Sequence, residues 1–334
     1  MKGNPINLIT DGYMDKTSYN PGDTASVFVN SVAVFNNAKL YLHNVHHKNV
    51  DSVIVNLLPQ SVSPLNTKPY EDGFGYSVSF TFIIPHNLKS GMYNWENKIF
   101  FIVKNAVKNA DITIIYDSNT EAAYNLAGGK CLYNSGSTNS IKADAVSILR
   151  PLTTREITYN RKYSDGIMKW LHNLNGYNFQ FICDQDMDEY SEIQNSKIIV
   201  VVGHSEYWSR QGRLNFDKFV DSGNDAIVLS GNTMWWQVRY SKDKTKIICY
   251  KNYGTDTCTN PLLITTNWTD PSLHYPDLKS IGVDYMHGGI SYDTTFHGWY
   301  GYKIMRPNSP LLTGTGLSFD DTLLCKSREY DGTL

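Results

Sequence analysis

His204 and Glu206 stand two positions apart in Gly203-His204-Ser205-Glu206-Tyr207-Trp208, directly after the apolar run at 198–202. An imidazole beside a carboxylate is either an acid–base couple or a pair of metal ligands. The plainer alternative is a strand-end histidine capping the next helix, with the glutamate at that helix's positive N-terminus. Ser205 lies between them, but the segment lacks the second glycine of a Gly-x-Ser-x-Gly elbow, so a nucleophilic serine is not read there. Two other segments follow apolar runs in the same way. Gly231-Asn232-Thr233-Met234-Trp235-Trp236 follows 226–230, and the segment 119–125, with Glu121 and Tyr124, follows 112–116. In open α/β sheets ligands bind beyond the carboxyl ends of the strands, so position makes all three segments candidates.

Other signals are weaker. Asp184-Gln185-Asp186-Met187-Asp188 opens like a calcium loop. Its sixth position is Glu189 rather than Gly and its twelfth is Asn195 rather than Glu, which excludes an EF-hand and leaves a loop of solvated carboxylates. His43, His46 and His47 read as a solvated loop or strand end. Trp235, Trp236, Trp299 and Tyr300 suit sugar stacking or core packing. Cysteines at 131, 183, 249, 258 and 325 are odd in number and form no Cys-x-x-Cys, so reduced thiols are expected rather than disulfides or a zinc site.

These side chains need a scaffold. Residues 1–110 carry period-2, β-branched runs at 25–30, 39–43, 52–57, 76–84 and 99–104, punctuated by Pro59, Pro64, Pro69 and Pro85. That pattern predicts an immunoglobulin-like β-sandwich. From 111 to 334 strands alternate with amphipathic helices. One helix carries Tyr163, Ile167, Trp170, Leu171 and Leu174 on one face and ends at Asn175-Gly176. Another carries Trp208, Phe216, Phe219 and Val220 and ends at Ser222-Gly223. Strand–helix alternation predicts a doubly wound parallel sheet with helices on both faces. The 334 residues thus divide into two domains. Their 30 basic and 32 acidic residues give a formal net charge of −2, without the polybasic footprint of nucleic-acid or membrane-surface binding. No apolar run approaches the ~20 residues of a membrane span, and 1–13 holds no apolar leader, so a cytoplasmic protein is expected.

Taken together, several blocks resemble one family. The stretches at 203–209, 230–239, 249–251 (Cys249-Tyr250-Lys251) and 123–130 (Ala123 to Lys130) are similar to the C-terminal region of the large (β) subunit of N,N-dimethylformamidase. Ser90-Gly91-Met92-Tyr93 and Glu329-Tyr330-Asp331-Gly332 extend the likeness over residues 12–332. The resemblance implies a glutamine-amidotransferase-like (flavodoxin-like) α/β domain beside the sandwich, shortened at its C-terminus relative to the family. It implies hydrolysis of a small formamide-type amide at a mononuclear ferric iron. Carried over by motif, Glu206 is the carboxylate ligand, Tyr124 one phenolate and Tyr93 the second, with Tyr116, Tyr133 and Tyr207 as rivals. His204, Asn232 and Lys251 line the pocket. A small subunit or self-association is the implied partnership. The competing expectation is a non-catalytic module that keeps the fold and binds carbohydrate or protein.

Overall fold

The computed structural model describes residues 8–174, 176–290, 302–323 and 329–333. Strands β1 (Ile9–Met14), β2 (Ser18–Tyr19), β3 (Thr24–Ser31), β4 (Phe35–Asn44), β5 (Asn49–Leu57), β6 (Phe80–Ile83), β7 (Gly91–Trp95) and β8 (Ile99–Val103) come first, interrupted by the single turn α1 (Pro69–Asp72). They form two sheets, in the orders β1-β3-β6 and β2-β8-β7-β4-β5. Alternation along β3 buries Ala25, Val27 and Val29, which meet Leu40, Leu42, Trp95 and Phe101 of the other sheet in one core. The strand β7 has no alternation to read, because both its faces are covered. Tyr93 and Trp95 enter the sandwich core, while Met92 packs into the neighbouring α/β core.

The second part contains β9 (Ile112–Tyr116), α2 (Ser118–Tyr124), β10 (Ala145–Ser147), α3 (Lys162–His172), β11 (Phe179–Cys183), β12 (Ile198–Gly203), β13 (Tyr207–Ser209), α4 (Arg210–Asp221), β14 (Asp225–Ser230), β15 (Trp236–Tyr240) and β16 (Lys246–Ile248). Strands β11-β9-β12-β14 lie side by side and every pairing is parallel. One face packs Ile112, Ile114 and Val200 against Met168 and Leu171 of α3 and Met92 and Ile102 of the sandwich. The other packs Ile115, Ile199 and Val201 against Phe216 and Phe219 of α4. A second, mixed sheet, β10-β16-β15-β13, was not foreseen. Further on lie α5 (Leu278–Ile281), β17 (Asp284–Ile290), β18 (Tyr302–Lys303), β19 (Thr322–Leu323) and β20 (Glu329–Gly332), with β20 antiparallel to β17. Among the described residues no helix is long and apolar enough to cross a membrane.

Three local expectations need correction. Trp208 belongs to β13, not to α4, because the chain extends before Ser209 caps the helix by accepting from the Gly212 N–H at 2.8 Å. Trp170 is 57% exposed, and α3 buries Met168 and Leu171 instead. That helix closes at Asn173, while Asn175 and the side chain of Tyr163 lie outside the described residues, as do Trp299, Tyr300 and Cys325. The acidic run 184–188 is no solvated loop. Lys104, at the end of β8, reaches Asp186 and Glu192 at 2.9 Å each, and Lys108 reaches Glu192 at 2.7 Å. Ser18 and the Cys183 N–H also donate to Asp186, so the run is a buried, neutralised junction against the sandwich. Cys131, Cys183, Cys249 and Cys258 are free thiols.

Candidate functional site

The strand β12 ends on Gly203 at φ +84°. A Cβ there would sit 2.4 Å from Ser164 Oγ and 2.5 Å from Asp117 Oδ2, so only glycine fits. The Asp117 carboxylate closes this turn by accepting from the His204 N–H at 2.8 Å and from Ser164 Oγ at 2.7 Å. The Glu206 N–H donates to Thr120 Oγ1 at 3.0 Å, and Asn119 Nδ2 donates to the Tyr207 carbonyl at 2.9 Å. Segment 203–207 is therefore laced to α2. The far end of α2 is held by buried Arg150, which donates to the carbonyls of Ala122 (2.8 Å), Ala127 (2.7 Å), Lys130 (3.0 Å) and Ser147 (2.9 Å).

On this frame two phenols meet one carboxylate. Tyr124 donates to Glu206 Oε2 at 2.9 Å, its hydroxyl oxygen lies 3.1 Å from that of Tyr133, and Tyr133 donates to Glu206 Oε1. The Glu206 side chain is 1% exposed. His204 Nε2 lies 3.4 Å from Glu206 Oε2 and 2.8 Å from Glu329 Oε2. Lys251 Nζ donates to the Tyr207 hydroxyl at 2.7 Å and sits 3.3 Å from the centre of the Tyr133 ring. The cluster borders a cavity of about 720 Å³ lined by Tyr124, His204, Glu329 and Asp331, with Asp117 and Gly231 behind them.

Charge is crowded here. Burial, reinforced by Glu206, pushes the Tyr124 and Tyr133 phenols well above their ordinary range, so both are donors at neutral pH. Burial alone would lower His204, but Glu329, Glu206 and Asp117 outweigh it and raise it to about 9. Burial lowers Lys251 to about 8 against the pull of Glu206.

Tyr124, Glu206, His204 and Lys251 thus come together. Asn232 is buried at φ +53° in the turn after β14 and is not among the residues lining the cavity; among the described residues its Oδ1 has no hydrogen-bond partner. The next N–H, Thr233, donates to Asp331 Oδ2 at 3.0 Å. Tyr93 does not join them. Its hydroxyl donates to the Lys89 carbonyl at 2.7 Å and its ring lies in the sandwich core beside Phe101. The phenol beside Glu206 is Tyr133, which enters because the Leu132 N–H bonds back to the Ala123 carbonyl and returns the chain to α2. Tyr116 turns instead to Glu121, and Tyr207 to Lys251. Ser205 is no nucleophile candidate, since its Oγ accepts from the Trp208 indole. Glu329 had surfaced only inside a family block, because its neighbourhood is assembled by β20 and not by local sequence.

The cluster fits a hard cation. Its oxygens stand 2.9 and 3.1 Å apart, the spacing of adjacent ligands around an ion with metal–oxygen bonds of ~2.0–2.2 Å. Two phenolates and a carboxylate also carry the charge that balances a trivalent ion. Among the described residues no three His, Cys, Asp or Glu side chains group closely enough to hold a metal ion. Residues 43–333 match the model of the N,N-dimethylformamidase beta subunit-like, C-terminal family, and the chain belongs to that family. No curated protein matches it.

Proposed function

We propose that this chain is an iron-dependent amidohydrolase, with ferric iron held by Tyr124, Tyr133 and Glu206. The observation that carries the reading is the meeting of two phenol oxygens and one carboxylate at the edge of a large cavity. Family membership supports amide hydrolysis as the reaction class. The reading takes residues 1–110 as an immunoglobulin-like sandwich and 111–334 as an amidotransferase-like domain, with a small subunit or a second copy as the partner.

Bound iron would supply Lewis acidity, polarising the amide carbonyl and making water a better nucleophile. The chain's own residues handle the rest. His204, held protonated by Glu329, Glu206 and Asp117, carries the proton that the leaving nitrogen needs. Lys251 braces the Tyr133 ring through its face and fixes Tyr207. The water oxygen joins the acyl carbon, the C–N bond breaks and the amine leaves with the proton.

Metal analysis of the purified chain tests this. About one iron per chain, a visible tyrosinate-to-iron charge-transfer band and amide hydrolysis are expected. Colourless, metal-free protein that cleaves no amide after iron loading overturns it.

A further inference from the structure

The cavity has polar lining besides the phenol and His204. Arg155 and Arg161 both line it. Arg161 is buried and answered, since its guanidinium reaches the Tyr116 hydroxyl at 2.8 Å, Glu121 at 2.9 Å and Asp165 at 3.5 Å. Arg155 is exposed and, among the described residues, makes no hydrogen bond or ion pair. An apolar wall contributed by Val228, Leu229, Ile281 and Val283 lines the same cavity. Its roughly 720 Å³ falls among pockets that enclose drug-sized ligands, far more room than a dimethyl amide fills.

We propose that the amide taken here is an N-acyl amino acid with an apolar side chain, its carboxylate on Arg155 and its side chain on the Val228–Val283 wall. The proposal rests on the amide-hydrolase reading and names the substrate class of that site. A free guanidinium at a pocket selects a planar carboxylate through paired N–H donors. Asp117, Glu121 and Asp331 around the same cavity disfavour a dianion such as a phosphate. Hydrolysis joins the water oxygen to the acyl carbon, breaks the C–N bond and puts the proton on nitrogen, releasing a carboxylate and a free amino acid.

The test uses the iron-loaded full chain and two substrates that differ only in the carboxylate, N-formyl-leucine and N-isopentylformamide. The expected kcat/KM is at least ~10-fold higher for the acid, and Arg155→Gln, an exposed change, collapses that ratio toward one through KM. Titration calorimetry with N-methanesulfonyl-leucine, which cannot be hydrolysed, is expected to show about 10-fold weaker binding to Arg155→Gln. Equal kcat/KM for the two substrates, or binding indifferent to Arg155, overturns the proposal. If neither formamide is cleaved while the sulfonamide still binds through Arg155, the hydrolase reading fails and the ligand class stands.

Discussion

The junction around Lys104 and the cluster around Glu206 are both buried and both ionic, and they are balanced differently. At the junction Lys104 and Lys108 face Asp186 and Glu192, and Ser18 and the Cys183 N–H take up further acceptor capacity. Burial alone would lower Lys104, but the two carboxylates outweigh it and hold it above its ordinary value. At the cluster the hydrogen bonds to Glu206 come from two phenols, while Lys251 bonds to the Tyr207 hydroxyl and His204 lies 3.4 Å from Glu206 and 2.8 Å from Glu329. Carboxylates held by lysines fix one element against another. A carboxylate held by phenols sits beside protons that a cation can replace.

The sharpest way to break this contrast is Glu206→Gln, which keeps the shape and removes the charge. Loss of bound iron and a fall in amide hydrolysis of about 10⁴-fold are expected, with the unfolding midpoint nearly unchanged. Lys104→Met does the converse. It leaves Asp186 without its lysine and Glu192 with Lys108 alone, and should cost about 3 kcal/mol in denaturant unfolding, while iron content stays as it was. An iron loss in Lys104→Met, or a large stability loss in Glu206→Gln, would dissolve the distinction.

Asp277 sharpens it with an unbalanced charge away from the phenols. It is fully buried, neither side-chain oxygen has a hydrogen-bond partner among the described residues, and burial raises it to about 6. A carboxyl raised above its unfolded value near 3.9 binds more protons when folded, so stability falls as pH rises from about 4 to 6. Asp277→Asn should remove that slope and stabilise the chain by about 2 kcal/mol at pH 7.5, read from urea titrations at several pH values. The smallest contrast is between two tyrosines. Tyr133→Phe should weaken iron binding by roughly 10–100-fold and shift the charge-transfer band. Tyr93→Phe should leave the band alone and cost about 1 kcal/mol, the bond to the Lys89 carbonyl.

That last pair marks where the sequence stops being informative. The parallel strands were legible because Ile112–Tyr116 and the run at 198–202 are short, apolar and followed by polar segments, a local property. His204 and Glu206 stood out for the same reason, each lying just beyond a strand end, whereas Tyr124, at the far end of α2, was singled out through the family resemblance. Tyr133 lies in an irregular stretch and reaches Glu206 only through the Leu132–Ala123 backbone bond, which no spacing announces. The strand β13 was hidden because three residues between a strand and a capped helix carry no period. The run 184–188 misled because acidic residues signal solvent until a distant lysine neutralises them, and Lys104 is 82 residues away in sequence from Asp186.

Arg150 has a consequence for how the cluster is held. Its guanidinium is buried and makes no ion pair among the described residues, and burial lowers it to about 10; four backbone carbonyls take its hydrogen bonds. Those carbonyls belong to the end of α2, the turn after it and the end of β10, so one side chain rivets the three pieces that carry Tyr124. The rivet owes nothing to whatever occupies the phenols. Most of the ordering entropy of the Tyr124 backbone is therefore spent during folding, before any ion arrives, and ion binding is a docking event on a stiff seat rather than a folding event.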